Sequence, residues 1–252
     1  MEIAAVGLRA QQRALETIAG NISNVNTPAF KRSNLRFAEL IAAPAIENDG
    51  RIAASVFSPI AGVGQWAQPM INQQGQLESS GDSLDIALDG NGFIELMGPA
   101  GRTLLWRGGA LRVLDDGLLA TSAGLALKAG VTIPSDASGI RIDRDGKVYA
   151  VLGDNQAESE VGRISLVKLE EGTPVERLDG GVYAVGDGTE LMEAPAGEEG
   201  LGYFVQGSLE RSNVDLNEEM VALLVTQRAY AANAQVIRAV DEFLSLANGL
   251  RR

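Results

Sequence analysis

Ser212-Asn213-Val214-Asp215-Leu216-Asn217-Glu218-Glu219-Met220 opens a stretch that runs to Leu250 without a proline and meets its first glycine only at Gly249. Ser212 and Asn213 supply a cap, and Asp215-x-x-Glu218 has the spacing of a capping box, with acids at the positive end of the helix dipole. Beyond them apolar residues recur at intervals of three and four, the period of a helix face. One stripe is Met220, Leu223, Gln227, Tyr230, Ala234, Ile237 and Leu244, interrupted by Asp241; a second is Val225, Ala229, Ala232, Val236, Val240, Phe243, Ala247 and Leu250. A helix of about 35 residues is about 50 Å long, more than a small domain needs, so it projects or packs in an assembly. One stripe can pair with one helix, whereas two require a further apolar partner. An ordinary two-helix bundle packed on the central part of the chain is the alternative that the pattern leaves open.

The pairing helix is at the other end. From about Glu2 to Val25 there is no proline, and Leu8, Gln11, Leu15, Ile18, Ile22 and Val25 form an a/d seam whose one polar member is Gln11. Asn21, Asn24 and Asn26 then lead to Thr27-Pro28, where asparagine tolerates a left-handed cap and proline forbids continuation.

Between the ends the period changes to two. Leu84, Ile86 and Leu88 alternate up to Asp89-Gly90, and Ile140 and Ile142 up to Asp145-Gly146, followed by Val148 and Ala150. Further Asp-Gly pairs at 49–50, 116–117, 179–180 and 187–188 favour tight hairpin turns, so the middle reads as antiparallel β. Ala/Pro/Gly-bearing stretches at about 41–70 and 193–202 flank it as linkers. The expected fold class is α+β, with N- and C-terminal helices pairing as a coiled-coil domain around an inserted antiparallel β domain with extended linkers.

Composition narrows function. The 252 residues contain no Cys and no His, which removes thiol nucleophiles, disulfides, Ser-His-Asp relays and the usual zinc sites. A formal net charge of -12 argues against a nucleic-acid footprint, and residues 1–40 count to about +2, so the middle holds nearly all the excess acid. No apolar run approaches the roughly 18 residues of a membrane span, and Glu2 stands where a cleavable signal would place basic residues.

Candidate sites fail on spacing. Asp82, Asp85 and Asp89 are acids for glycoside chemistry only on paper, and Asp143-Arg144-Asp145-Gly146 aligns with a calcium loop that would have Arg141 first and Leu152 twelfth. Gly90-Asn91-Gly92 is followed by Glu95 where a dinucleotide fingerprint wants glycine, and Gly139 to Gly146-Lys147 has the wrong spacing for a phosphate loop. The reading is no enzyme, no metal and no cofactor. A carboxylate hydrolase and an acidic β ligand-binding module dimerised by its helices are the competing classes.

The segment from Ala19 to Arg32, Ala-Gly-Asn-Ile-Ser-Asn-Val-Asn-Thr-Pro-Ala-Phe-Lys-Arg, resembles the N-terminal signature of the flagellar rod and hook proteins. Gly207-Ser-Leu-Glu-Arg-Ser-Asn-Val-Asp-Leu-Asn-Glu-Glu-Met-Val221, continuing through Thr226-Gln-Arg-Ala-Tyr-Ala-Ala-Asn-Ala234, is similar to the C-terminal signature of that family. Gln74-Gly-Gln-Leu77 and Gly81 to Phe93 look like the family's approach to its β domain. The residues on which the resemblance rests are Asn21, Asn24, Asn26, Thr27, Phe30 and Lys31 at one end, and Ser212, Asn213, Val214, Glu218, Glu219 and Arg228 at the other. The segment Lys31 to Leu40 resembles the distal-rod member more than the proximal-rod member. Gly20 stands where the family has Asn, and Ala29 replaces a Gly, which argues against a positive-φ turn there. Trp106-Arg-Gly-Gly-Ala-Leu111 matches only loosely.

The resemblance implies a structural subunit that polymerises into a hollow helical rod, transmits torque, and lets exported subunits pass. It implies residues 1–30 plus 212–252 as a coiled-coil polymerisation domain, 31–71 plus 193–211 as an extended connector, and 72–192 as a β-rich outer domain. The assembly interface is expected on Leu8, Leu15, Ile18, Ile22 and Val25 and on Met220, Leu223, Gln227, Tyr230, Ala234, Ile237, Val236, Val240 and Phe243. Expected partners are further copies of the chain, other rod and hook proteins and the flagellar export apparatus, with no nucleic acid and no membrane span. The expected location is the periplasmic rod of the basal body, reached without a cleaved signal peptide.

Overall fold

Helical and strand periods segregate along the chain as the sequence implies. The computed structural model describes residues 2–39, 63–153, 157–170, 173, 175–186 and 188–249. Helix α1 is Glu2–Ser23, ended by the asparagine-rich turn before Pro28, and α2 is Leu216–Gly249. The turn at Asp49-Gly50, the 41–62 part of the linker, Asp187 and Leu250 lie outside the described residues.

Among the described residues seventeen strands lie between the helices. The first six are β1 (Ser33–Glu39), β2 (Val63–Pro69), β3 (Leu77–Ser79), β4 (Asp85–Asp89), β5 (Phe93–Met97) and β6 (Thr103–Trp106). Next come β7 (Gly108–Val113), β8 (Leu119–Thr121), β9 (Ala137–Ile142), β10 (Lys147–Leu152), β11 (Ala157–Arg163) and β12 (Leu166–Lys168). The last five are β13 (Val175–Arg177), β14 (Val182–Val185), β15 (Met192–Ala194), β16 (Tyr203–Gln206) and β17 (Ser208–Glu210). They form sheets ordered β13-β14-β6-β5-β12-β15, β16-β4-β7-β8 and β11-β10-β9, with the pairs β17-β3 and β1-β2. The fold is α+β with antiparallel sheets.

The described residues fall into two compact units. One is drawn from Met1–Asn21, Ser33–Gln68 and Leu216–Arg252, the other from Ile22–Arg32 and Pro69–Asp215. Both helices belong to the first, except Ile22 and Ser23 at the end of α1. The second holds the β core, and the six-stranded sheet divides it by simple alternation, because successive side chains leave a strand on opposite faces. Leu104 and Trp106 of β6, Ile94 and Leu96 of β5, and Val182 and Ala184 of β14 enter one cluster. Leu105, Phe93, Tyr183 and Val185 from the same strands enter the other. Each such large side chain taken fully out of water contributes about 1.5–3 kcal/mol.

Three of the Asp-Gly turns reverse the chain between paired strands: 116–117 joins β7 to β8, 145–146 joins β9 to β10, and 179–180 joins β13 to β14. Asp89-Gly90 does not. It carries the chain from β4 in the four-stranded sheet to β5 in the six-stranded one, and Ile86, Ala87 and Leu88 are all fully buried, so β4 is covered on both faces despite its alternating sequence. Gly90 has φ 116°, and a Cβ there would stand 2.7 Å from the Gly202 Cα. Gly90→Ala is therefore expected to destabilise the β unit by about 1–3 kcal/mol in urea unfolding, since both the backbone conformation and the neighbour forbid the methyl group.

Candidate functional site

A buried polar cluster in the β unit is built on Glu210, the last residue of β17. Its carboxylate is almost completely out of water. Oε1 accepts from Lys31 Nζ at 2.5 Å and from the Gly75 N–H at 2.7 Å, and Oε2 accepts from Arg107 Nε at 3.1 Å. The two cations spend their other protons on main-chain carbonyls. Lys31 Nζ donates to Gln73 O at 2.7 Å, while Arg107 donates to Gly92 O at 2.5 Å and to Gly90 O. A buried charge is tolerable only when paired and hydrogen-bonded, and here one carboxylate and four acceptors or donors of the backbone satisfy all three side chains.

The same cluster fixes the chain on both sides of itself. Ala29 N–H donates to Glu210 O at 2.7 Å, and Ala29 sits at φ 56°. The positive-φ turn thus survives without glycine, a correction to the expectation drawn from the replacement. Phe30 is buried beneath the Arg177 guanidinium, 4.2 Å from its ring centroid. Asn213 is a clasp and not the cap expected for it, because α2 starts three residues later. Its Oδ1 accepts from the Arg32 N–H at 2.6 Å, and its Nδ2 donates to Gln73 O at 2.9 Å. Ser212 Oγ accepts from the Val214 N–H at 3.3 Å, and Val214 is buried. Thr27 Oγ1 donates to Asn24 Oδ1 at 3.1 Å, and Asn26 is exposed.

In the helical unit, Asn21 brackets Ser33, accepting from its N–H and donating to its carbonyl, both at 2.9 Å. Leu8, Gln11, Leu15, Ile18, Ile22 and Val25 are all half-buried, whereas Arg9, Gln12, Arg13, Glu16 and Ala19 are exposed. An added Cβ on Gly7 would lie 3.4 Å from Asn233 Nδ2 of α2. On α2 the half-buried positions are Ala222, Leu223, Thr226, Ala229, Tyr230, Asn233, Ala234 and Ile237. Met220, Gln227, Glu218 and Arg228 are exposed, and Glu219 is buried. Val225, Val236, Val240 and Phe243 face solvent with relative exposures of 62%, 56%, 37% and 72%. Side-chain burial at Leu244 and Asp241 lies outside what is described.

Asp82, Asp89 and Asp145 spend their carboxylates on contacts within the β unit. Asp82 Oδ1 accepts from the Leu84 N–H at 2.9 Å, Asp89 accepts from Gln74 Nε2 at 3.4 Å, and Asp145 faces Lys147 and Arg163. Among the described residues no group of three or more Asp or Glu is placed to hold a metal ion. No described helix is long and apolar enough to cross a membrane.

Beyond being a lone Arg after Trp106 in an apolar strand context, Arg107 carries no local signal of a site residue, because its segment matches the family only loosely, and Glu210 stands in the C-terminal signature with no partner nearby in sequence.

Three family models match the chain: "Flagella basal body rod protein" over residues 1–31, "Flagellar hook protein FlgE/F/G D1 domain" over 87–150, and "Flagellar basal body rod FlgEFG protein C-terminal" over 205–250. Lys31, Arg107 and Glu210 fall one in each. The flagellar basal-body rod protein FlgG of Caulobacter vibrioides is 33% identical, over 100% of this chain and 98% of its own length. The chain belongs to the flagellar basal-body rod family. Among its FlgG relatives, that of Borreliella burgdorferi is 32% identical over 99% of this chain and 97% of the relative, and that of Bacillus subtilis 29% over 98% and 96%. Within the rod family the chain is most like FlgG; it is a structural rod subunit of the flagellar basal body and not an enzyme.

Removing the carboxylate leaves two buried cations facing each other, while removing Lys31 leaves Glu210 still paired with Arg107. Glu210→Gln is expected to cost the β unit about 3–5 kcal/mol in urea unfolding and Lys31→Met clearly less. Burial, only partly offset by Glu210, pulls the Lys31 ammonium down to about 8 from its ordinary 10.5. Below about 8 both folded and unfolded chains hold this proton, so Lys31 adds no pH dependence there. Between about 8 and 10.5 the unfolded chain keeps it and the folded one releases it, so stability rises with pH in that window. The difference in urea midpoint between the wild type and Lys31→Met, followed from pH 7 to 10, should shift in favour of the wild type.

Proposed function

We propose that α1 and α2 pair as a coiled coil and that copies of this chain polymerise through them into a hollow helical drive shaft that transmits torque and passes exported subunits. In this reading residues 1–30 plus 212–252 are the polymerisation domain, 31–71 plus 193–211 the connector, and 72–192 the outer domain. Other rod and hook proteins are its neighbours in the shaft. The chain reaches the periplasm through the flagellar export apparatus without cleavage of a signal peptide.

The observation that carries this is the second stripe of α2, of which Val225, Val236 and Phe243 are more than half exposed, with Val221 exposed one turn before it. Contiguous apolar surface of this kind on a soluble chain marks an interaction site. At about 25 cal/mol per Å2, even a few hundred Å2 per contact amounts to several kcal/mol, repeated at every subunit. Contacts of the head-to-tail type that do not close into a ring extend into a helical filament.

Sedimentation over a concentration series should show growth beyond the monomer. In Val225→Asp/Val236→Asp the concentration required should rise at least about tenfold, the equivalent of 1.4 kcal/mol, with urea unfolding of the β unit unchanged. A wild type that stays monomeric throughout, together with deleted cells that still build hooks, would contradict the reading.

A further inference from the structure

The chain passes from one compact unit to the other at four points: Asn21/Ile22, Arg32/Ser33, Gln68/Pro69 and Asp215/Leu216. A single strand at such a point turns freely, because each residue keeps two soft dihedrals. None of the four is left as a single strand. In the helical unit Asn21 Oδ1 accepts from the Ser33 N–H and its Nδ2 donates to Ser33 O, both at 2.9 Å, which ties the first crossing to the second. In the β unit the Met70 N–H donates to Arg32 O at 2.8 Å, which ties the second to the third. Asn213 brings in the fourth. Its Oδ1 accepts from the Arg32 N–H at 2.6 Å, its Nδ2 donates to Gln73 O at 2.9 Å, and its own N–H donates to Phe30 O at 3.4 Å.

Asparagine has an ordinary reason to stand at a helix end, since it tolerates the left-handed cap. That reason is missing here, because among the described residues other than glycine only Ala29 and Glu199 have positive φ. Asn21 is instead 2% exposed, and its side chain reaches a residue twelve positions ahead. Each of the two amides uses its acceptor and its donor on main-chain groups, so each stands in for the peptide group of a missing strand. An aspartate of the same size supplies only the acceptor, and sets its charge against a carbonyl oxygen.

We propose that Asn21 and Asn213 are positioning residues for load transfer through the subunit: by tying the four crossings to one another, they make a twist applied to the helical unit arrive at the β unit through strands that move together. The use of this stiffness to carry torque rests on the drive-shaft reading above, whereas the stiffness itself belongs to the single chain.

The absence of cysteine from the chain makes site-directed spin labelling clean. Labels go on Ala19→Cys of α1 and Ser159→Cys of β11, both exposed, and the distance between them is measured by pulsed electron resonance on the full-length, dilute monomer. With both asparagines present the distribution should be single and narrow. Asn21→Asp and Asn213→Asp should each broaden it at least about twofold, because each variant loses a donor. Asn26→Asp, at an exposed position, should leave it unchanged. Urea unfolding of the β unit is followed in parallel, and broadening with that unfolding unchanged separates positioning from loss of structure. Asn21→Asp, which lies in the other unit, decides the matter if Asn213→Asp fails to fold. A distribution that is already broad with both asparagines present, or a width that neither aspartate changes, overturns the proposal. Because the measurement is made on the monomer, a wild type that never assembles would sink the drive-shaft reading and leave this result standing.

Discussion

One buried carboxylate organises the β unit. Glu210 closes β17 and holds Lys31, which follows α1 in sequence, and Arg107, which sits between β6 and β7, so three distant stretches meet on two oxygens. A buried ion cluster is a poor source of net stability, since its desolvation cost consumes most of the attraction. Its effect here is to tie three distant segments to one carboxylate, with the carbonyls of Gln73, Gly90 and Gly92 taking further protons of the two cations. Asn213 and Ala29 extend the same lock along the chain, one through the Arg32 N–H and one to the Glu210 carbonyl.

Much of this fold was legible in the sequence. Periods of 3.6 and 2 separated helices from strands, proline and asparagine placed the end of α1, and three Asp-Gly pairs marked real reversals. What was hidden follows from physics that is not local. Asp89-Gly90 has the sequence of a hairpin but changes sheets, because β4 finds partners in β7 and β16 that lie far along the chain. Arg107 and Glu210 are 103 residues apart and Lys31 and Glu210 are 179, so no window of sequence contains the interaction. Ala29 shows the reverse case, in which a residue disfavoured at positive φ is held there by its surroundings.

The two units contrast in completeness. In the β unit the polar centre is satisfied and the apolar side chains fill two cores. In the helical unit the seam of α1 is half-buried, yet a line of valines and Phe243 on α2 remains in solvent. Helices in proteins owe most of their stability to packing of their apolar faces, so a face without a partner leaves a helix less firmly held. In the polymerisation proposed above, that division lets one part of the subunit fold alone while the other is completed by its neighbours.

Hydrogen exchange measured on the same protein as dilute monomer and as assembled material tests this division most directly. Amides of residues 221–243 should exchange quickly in the monomer and become strongly protected on assembly, while those around Lys31, Arg107 and Glu210 are already protected in the monomer and change little. Equal protection of α2 in both states would contradict the account.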